Sequence, residues 1–149
     1  MRVFRVARAA YPDLDGKGTA IRGARWNSPN TPIVYTSSCG ALAALEYLVH
    51  VKETPNDIPE DLLLLTIQVS DKLRIEHAAW MPDIRTSRRY GDLWVKSKRS
   101  PVLAVPSVVV PRQINYLLNP AHADMPGITV GHAEPFVLDV RLFDTFRIA

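Results

Sequence analysis

Cysteine is nearly missing from this 149-residue chain: Cys39 is the only one. A single thiol precludes an internal disulfide and leaves no thiol pair for zinc. Long apolar runs are missing too. The densest segments, Ala41–Val51 and Leu62–Val69, fall far short of the ~20 residues that cross a bilayer, and Glu46 and His50 interrupt the first. Behind the charges of Met1-Arg2-Val3-Phe4-Arg5-Val6-Ala7-Arg8 there is no apolar stretch of the kind a secretory leader carries. This segment therefore reads as a strand, and the expected location is the cytoplasm, away from membranes. Glycine is scarce, with seven in all, and the two in Asp13-Leu14-Asp15-Gly16-Lys17-Gly18 form a turn too polar for a phosphate loop. His50, His77, His122 and His132 show no ligand spacing, so no metal is expected.

What remains is an ordinary globular composition, 47% apolar and 22% charged. A chain of this length forms one domain, here 1–149, and buries roughly two thirds of its unfolded surface. Twelve prolines divide it into short elements. Strands are expected at Phe4–Ala7, Pro32–Ser37, Leu62–Val69 and the valine-rich Pro101–Val110, where Pro106 marks a bulge or strand end. Thr36-Ser37-Ser38 is an N-cap cluster for a helix from about Gly40 to Lys52. A second, amphipathic helix is expected at Arg88–Lys98, a turn at Asn115–Pro120, and a closing strand at Phe136–Phe143. Strands and helices do not alternate regularly, which excludes a doubly wound parallel sheet. The expected architecture is a single compact α+β domain with mixed or antiparallel sheets and flanking helices.

Several polar residues are threaded through the apolar segments: Arg25-Trp26-Asn27, Tyr35, Glu46 and Ser107. On a helix of ~100° per residue, Leu42, Leu45, Leu48 and Val49 share an arc of about 120°, with Glu46 some 40° beyond it and His50 a further 40° on. Two readings follow. Glu46 and His50 are an exposed i, i+4 pair, or Glu46 is a carboxylate at the lip of the core, where low dielectric strengthens its field. Helical geometry alone favours the first. Net charge is +3, and the excess is local: Arg85, Arg88, Arg89, Lys96, Lys98 and Arg99 stand against Asp92. Such a run suits water, an acidic protein partner or nucleic acid. Nucleic acid is the weaker match, since only Tyr90 and Trp94 are interleaved for stacking. Cys39 and His50 make a weak thiol nucleophile pair, with no argued base.

Taken in order, Phe4-Arg5, Gly23-Ala24-Arg25-Trp26-Asn27, Val34-Tyr35-Thr36-Ser37, Ala41-Leu42-Ala43-Ala44-Leu45-Glu46, Val105-Pro106-Ser107 and Asn119-Pro120-Ala121-His122 resemble the RES-domain family over almost the whole chain. These are the toxin halves of bacterial RES–Xre toxin–antitoxin pairs. The resemblance implies an ADP-ribosyltransferase-like fold, NAD+ as the substrate consumed, and a cognate Xre/ParS-like antitoxin as partner. It also allows a protein substrate for ADP-ribosylation. Carried over, the active-site residues are Arg25, Tyr35, Glu46 and Ser107. One departure is visible: relatives commonly have a glycine between the Arg-Trp-Asn and Tyr segments, where this chain has Ser28-Pro29-Asn30-Thr31-Pro32. Asn30 tolerates a left-handed backbone better than most residues.

The chemistry this implies has definite requirements. Nicotinamide leaves ribose as a neutral amine, through an oxocarbenium-like transition state as in glycoside cleavage. The site must clamp the pyrophosphate, hold the nicotinamide plane and put negative charge near the developing cation. Arg25 suits the clamp through its planar fork, and Tyr35 a stacking face. Glu46 suits the ribose hydroxyl and the cation, while Ser107 suits the ribose or phosphate. Arg5 is a candidate second phosphate contact and His50 a candidate to orient Glu46 or bind ribose. No metal is needed. Asn119 and His122 carry no assigned chemistry. The alternatives are an RNA-cleaving toxin acting through residues 85–99 and a non-enzymatic module for an acidic partner.

Overall fold

In the computed structural model, residues 1–50 and 58–144 are described. Seven strands build one sheet: β1 (Arg2–Arg8), β2 (Val34–Ser37), β3 (Leu62–Val69), β4 (Ile75–His77), β5 (Val102–Pro106), β6 (Ile114–Leu118) and β7 (Ile128–Pro135). Their spatial order is β4-β5-β6-β2-β1-β3-β7. Every pairing is antiparallel except β4 with β5, so the sheet is mixed. Among the described residues, four α-helices accompany it: α1 (Lys17–Arg22), α2 (Gly40–His50), α3 (Ile84–Ser97) and α4 (Arg141–Asp144). The α+β expectation holds.

Alternation along the strands divides the core into two faces. Val3, Ala7, Leu65, Ile67, Val34 and Leu118 form one apolar cluster on one face. The opposite face carries two separate clusters. Trp26, Ile33, Trp94, Leu103, Val105 and Leu117 gather under α3, and Val6, Ala43, Leu62 and Leu138 gather under α2. The register explains the gap between them. Phe4 pairs with Ser37, Ser37 with Asn115, and Asn115 with Val105, a row crossing β1, β2, β6 and β5 on one face. Phe4 packs with the second cluster and Val105 belongs to the first. Ser37 and Asn115 are the polar seam between two apolar caps.

Several elements differ from their sequence expectation. Asn115–Pro120 is mostly not a turn: β6 runs through Leu118, its polar residues facing neighbours on the sheet. The closing strand is β7, and Phe136–Phe143 is irregular chain followed by α4. β7 lies at the sheet edge with nearly every residue exposed, so burial imposes no apolar alternation on it. Phe136, Leu138 and Phe143 are apolar because they cover the α2 cluster. α3 begins four residues before Arg88, because the Asp83 carboxylate accepts from the Arg85 N–H at 3.0 Å and caps it. The valine-rich strand is only Val102–Pro106. The part of the first helix beyond His50 lies outside the described residues.

The N-cap cluster is also reassigned. Cys39 stands at the start of α2, its Sγ accepting from the Leu42 N–H at 3.4 Å. Thr36 and Ser37 turn instead to β6, where Thr36 Oγ1 donates to the Tyr116 carbonyl at 2.6 Å. The buried face of α2 differs as well: Leu42 and Ala43 are buried, while Leu45 and Val49 are exposed. At ~100° per residue, Glu46 projects between Leu42 and Ala43. The small Ala43 side chain packs with Val6 and Leu62, and this rotates Glu46 inward. The exposed-pair reading of Glu46 is thereby overturned.

Candidate active site

Glu46 meets the polar seam directly. Its Oε1 accepts from Asn115 Nδ2 at 2.7 Å and from Ser107 Oγ at 2.7 Å. Ser37 Oγ donates to Asn115 Oδ1 at 2.8 Å, which fixes the amide so that its nitrogen faces the carboxylate. Ser107 stands just past the proline that ends β5. Its hydroxyl oxygen accepts from the N–H groups of Val109 and Val110, both at 3.1 Å, and its own N–H donates to the Gln113 carbonyl at 2.8 Å. The hydroxyl hydrogen is thus directed at Glu46. Both donors use Oε1; among the described residues Oε2 takes no hydrogen bond. The result is a carboxylate with one oxygen fixed and one available.

The second wall of the seam is the Arg25 segment. The Tyr35 hydroxyl donates to Asn27 Oδ1 at 2.6 Å and accepts from the Trp26 N–H at 3.0 Å. Burial pushes the Tyr35 phenol well above its ordinary range, outweighing the Trp26 N–H that favours the ionised form, so the hydroxyl stays a donor. Asn27, fully buried, donates through Nδ2 to the carbonyls of Thr19 at 3.1 Å and Thr31 at 2.8 Å. Asn30 has φ 70°, the left-handed conformation its side chain tolerates. Tyr35 and Ser37 are two residues apart on one face of β2, roughly 7 Å. One short strand therefore holds the Arg25 segment at one end and the Glu46 network at the other.

Arg25 itself is held from outside the sheet. Its Nη2 donates to the Met81 carbonyl at 2.7 Å, and its guanidinium lies 5.3 Å from the Trp80 ring centroid. α3 fixes the backbone: Ser87 Oγ donates to the Arg25 carbonyl at 2.8 Å, and Arg88 Nε to the Ala24 carbonyl at 2.7 Å. A Cβ at Gly91 would overlap the Trp26 carbonyl oxygen, so helix and segment touch through that glycine.

Glu46 and Ser107 thus meet along the seam, and Tyr35 joins the Arg25 segment through the Trp26 N–H, while the Arg25 guanidinium itself turns to Met81 and Trp80. Arg5 lies apart. It pairs with Leu65 and lies on the opposite face, among Val3 and Ala7, its Nη1 donating to the Asp13 carbonyl at 3.2 Å. Burial lowers its pKa, and the Asp15 charge opposes that shift. His50 is exposed, one helical turn beyond Glu46. Asn119 and His122 have scaffold roles. Buried Asn119 donates to the Val95 carbonyl at 3.1 Å. His122 accepts at Nδ1 from the Asp124 N–H at 3.0 Å and lies 3.1 Å from the Lys98 carbonyl through Nε2. Its tautomer is therefore the one protonated on Nε2. Among the described residues no group of three or more His, Cys, Asp or Glu could hold a metal.

Sequence reasoning missed Asn115, Ser37 and Trp80. Only Ser37 left a signal, as a polar residue ending an apolar strand. Asn115 becomes visible only once its pairing with Ser37 and Val105 is known.

Known proteins resemble the chain over most of its length. A family model described as the RES domain matches residues 2–139. A Sphingobium protein named Prs ADP-ribosylating toxin is 36% identical over 141 residues, covering 87% of this chain and 86% of its own. A Pseudomonas putida protein named Toxin Res is 32% identical over 140 residues, covering 91% and 96%. A chain in the crystal structure of the M. tuberculosis MbcT–MbcA toxin–antitoxin complex superposes with a TM-score of 0.76, over 99% of this chain and 89% of that one. At 16% identity that likeness concerns the fold.

Proposed function

The chain belongs to the RES-domain family, and from that premise we propose that it is the toxin of a toxin–antitoxin pair. Its reaction is cleavage of the nicotinamide–ribose bond of NAD+, with ADP-ribose passing to water, phosphate or a protein acceptor. The observation that carries this reading is Glu46, inward-facing and held through Oε1 by Ser107 and Asn115. Relatives named as toxins, one of them as ADP-ribosylating, support it.

The proposed roles are these. The glycosidic electron pair leaves with the nicotinamide nitrogen, which becomes neutral, and positive charge spreads over C1′ and the ring oxygen. Glu46 is the fixed negative charge beside that cation, preorganised by two donors so that it need not reorient as charge develops. Its available Oε2 accepts a ribose hydroxyl or orients the incoming acceptor. Arg25 is assigned the pyrophosphate, since a planar fork binds two oxygens; its guanidinium lies against the Met81 carbonyl and the Trp80 ring. Tyr35 supports that wall with its hydroxyl and borders the seam with its ring. An antitoxin partner follows from the chemistry, since unrestrained consumption of NAD+ depletes the cell that makes the enzyme.

The test follows NAD+ labelled in the ADP-ribose half, incubated with purified protein in buffer, with phosphate, and with antitoxin-free lysate. Free nicotinamide in buffer identifies water as acceptor, and phosphate-dependent release identifies phosphate. Label on a lysate protein with little turnover in buffer identifies transfer. No nicotinamide release in any condition overturns the proposal.

A further inference from the structure

Trp80 is the exception among the three tryptophans. Trp26 and Trp94 lie in the core, whereas Trp80 is 55% exposed. That exposure does not come from a loose loop. Residues 78–83, between β4 and α3, are tied down at both ends: the Ala78 N–H donates to the Ala104 carbonyl at 2.9 Å, and Asp83 caps α3. Ala78 and Met81 pack into the cluster under α3, so the backbone held between them turns the indole outward. The ring faces the Arg25 guanidinium, 5.3 Å from its centroid, and its remainder meets solvent.

We propose that Trp80 is the platform on which the adenine ring of NAD+ stacks. The inference rests on the NAD+ reading and adds to it a subsite for the half of the dinucleotide that does not react. Order along the molecule carries the argument. Glu46 bonds to Asn115, Asn115 to Ser37, and Tyr35, on the same strand as Ser37, to the Trp26 N–H beside Arg25. Arg25 in turn reaches Met81 and Trp80. A dinucleotide with its reacting C1′ at Glu46 and its pyrophosphate at Arg25 carries its second base beyond Arg25, where Trp80 stands.

The chemistry of the ring selects which base. The nicotinamide of NAD+ is a cationic ring, repelled by a guanidinium held against the same indole. Adenine is neutral and meets no such repulsion, while its π face stacks on an exposed aromatic as any base does. The guanidinium on one side of the indole and the purine on the other make a three-layer stack. Among the described residues, only Nη2 of the guanidinium is committed, to the Met81 carbonyl. Its other N–H groups are available to the phosphates next to the adenine.

The experiment compares wild type, Trp80→Ala and Trp80→Phe, with NAD+ and nicotinamide mononucleotide as substrates and ADP-ribose as a ligand. Nicotinamide mononucleotide has the same reacting bond and no adenine. The ring is exposed, so both variants fold. Trp80→Ala raises KM for NAD+ by about fivefold, the lower end of what stacking one base contributes, with kcat unchanged. Trp80→Phe keeps an aromatic face and recovers part of the loss. Cleavage of nicotinamide mononucleotide is the same in all three proteins. ADP-ribose quenches tryptophan fluorescence in wild type and not in Trp80→Ala. An equal loss for both substrates in Trp80→Ala overturns the inference, because the ring then acts only through Arg25. An unchanged KM for NAD+ in Trp80→Ala also overturns it and leaves the enzyme reading intact. Conversely, a wild-type chain that releases no nicotinamide, yet whose Trp80 is quenched by ADP-ribose, loses the reaction and keeps the platform.

Discussion

Glu46 is useful only as far as its neighbours hold it. A hydrogen bond to a charged group contributes about 1.5–3 kcal/mol, so losing one donor leaves the carboxylate free to turn without unfolding the sheet. Asn115→Ala is expected to lower kcat by about 10–100-fold with KM nearly unchanged, because the interaction matters most where charge develops. Glu46→Gln is expected to lose about 10²–10⁴-fold in kcat, as for removal of an acid–base or electrostatic group. Steady-state nicotinamide release measures both, and an Asn115→Ala enzyme as fast as wild type would show that the amide has no positioning role. Trp80 acts on the other wall. It is 55% exposed, against 3% for Trp26 and 0% for Trp94, and its ring faces the Arg25 guanidinium. An exposed cation–π contact is worth about 0.5–1 kcal/mol, so Trp80→Ala should raise KM for NAD+ by about 2–5-fold with little change in kcat. In the wild type, quenching of tryptophan fluorescence by NAD+ should come mainly from this ring. Equal quenching in Trp80→Ala would refute that assignment.

At the scale of elements, α3 is the clamp on the Arg25 segment, and Gly91 sets how closely it approaches. Since a Cβ there meets the backbone oxygen of Trp26 rather than a flexible side chain, Gly91→Ala should cost at least about 1–3 kcal/mol, as overpacking does. Urea unfolding reads the stability, and a parallel rise in KM shows the segment displaced. The same helix is tied to β4 and to the chain after it. Glu76 accepts from Arg99 Nη2 and from the Tyr90 hydroxyl at 2.9 and 2.7 Å. Arg99 above all, then Tyr90, hold the Glu76 carboxyl below its ordinary value of 4.5 despite partial desolvation. A carboxyl lowered on folding releases its proton more readily in the native state, so its stabilisation is complete above pH 4.5 and fades as pH falls through the native value. The difference in urea midpoint between wild type and Glu76→Gln should therefore shrink on acidification below pH 4.5. A constant difference would mean that the network contributes only packing.

What the sequence reveals depends on the kind of constraint each element answers. β3 and the start of α2 were legible because burial forces apolar residues into them. β7 was hidden because an exposed edge imposes no pattern, and the apolar residues at 136–143 were misread as a strand because they cover a cluster without pairing. The rotation of α2 was hidden for a related reason: Ala43, the least apolar of its buried positions, decides which face approaches the sheet. Arg25, Glu46 and Ser107 are visible as polar residues in apolar segments, and resemblance to a family supplies their roles. The meeting of Glu46 with Ser107 and Asn115 depends on long-range register, Ser37 against Asn115 against Val105, which no local pattern encodes.

The whole molecule is a sheet whose one face is capped twice, by α2 with the chain after β7 and by α3 with the Arg25 segment, leaving a polar line between the caps. A ligand in that line would touch both, so binding should stabilise the domain as a unit and not one element alone. Linkage gives the size: about 2.7 kcal/mol when ligand stands at a hundredfold Kd. For a chain of this length each kcal/mol moves Tm by about 2–4 °C, so saturating NAD+ should raise Tm by about 5–10 °C. Glu46→Gln is the form to measure, because it retains Arg25, Tyr35 and Ser107 while turnover is suppressed. If Arg25 binds the pyrophosphate as proposed, removing it in that background should abolish most of the shift, since such a contact does not depend on bond cleavage. A folded Glu46→Gln chain whose Tm ignores millimolar NAD+ would separate the seam from dinucleotide binding altogether, and with it the argument that the two caps exist to enclose one.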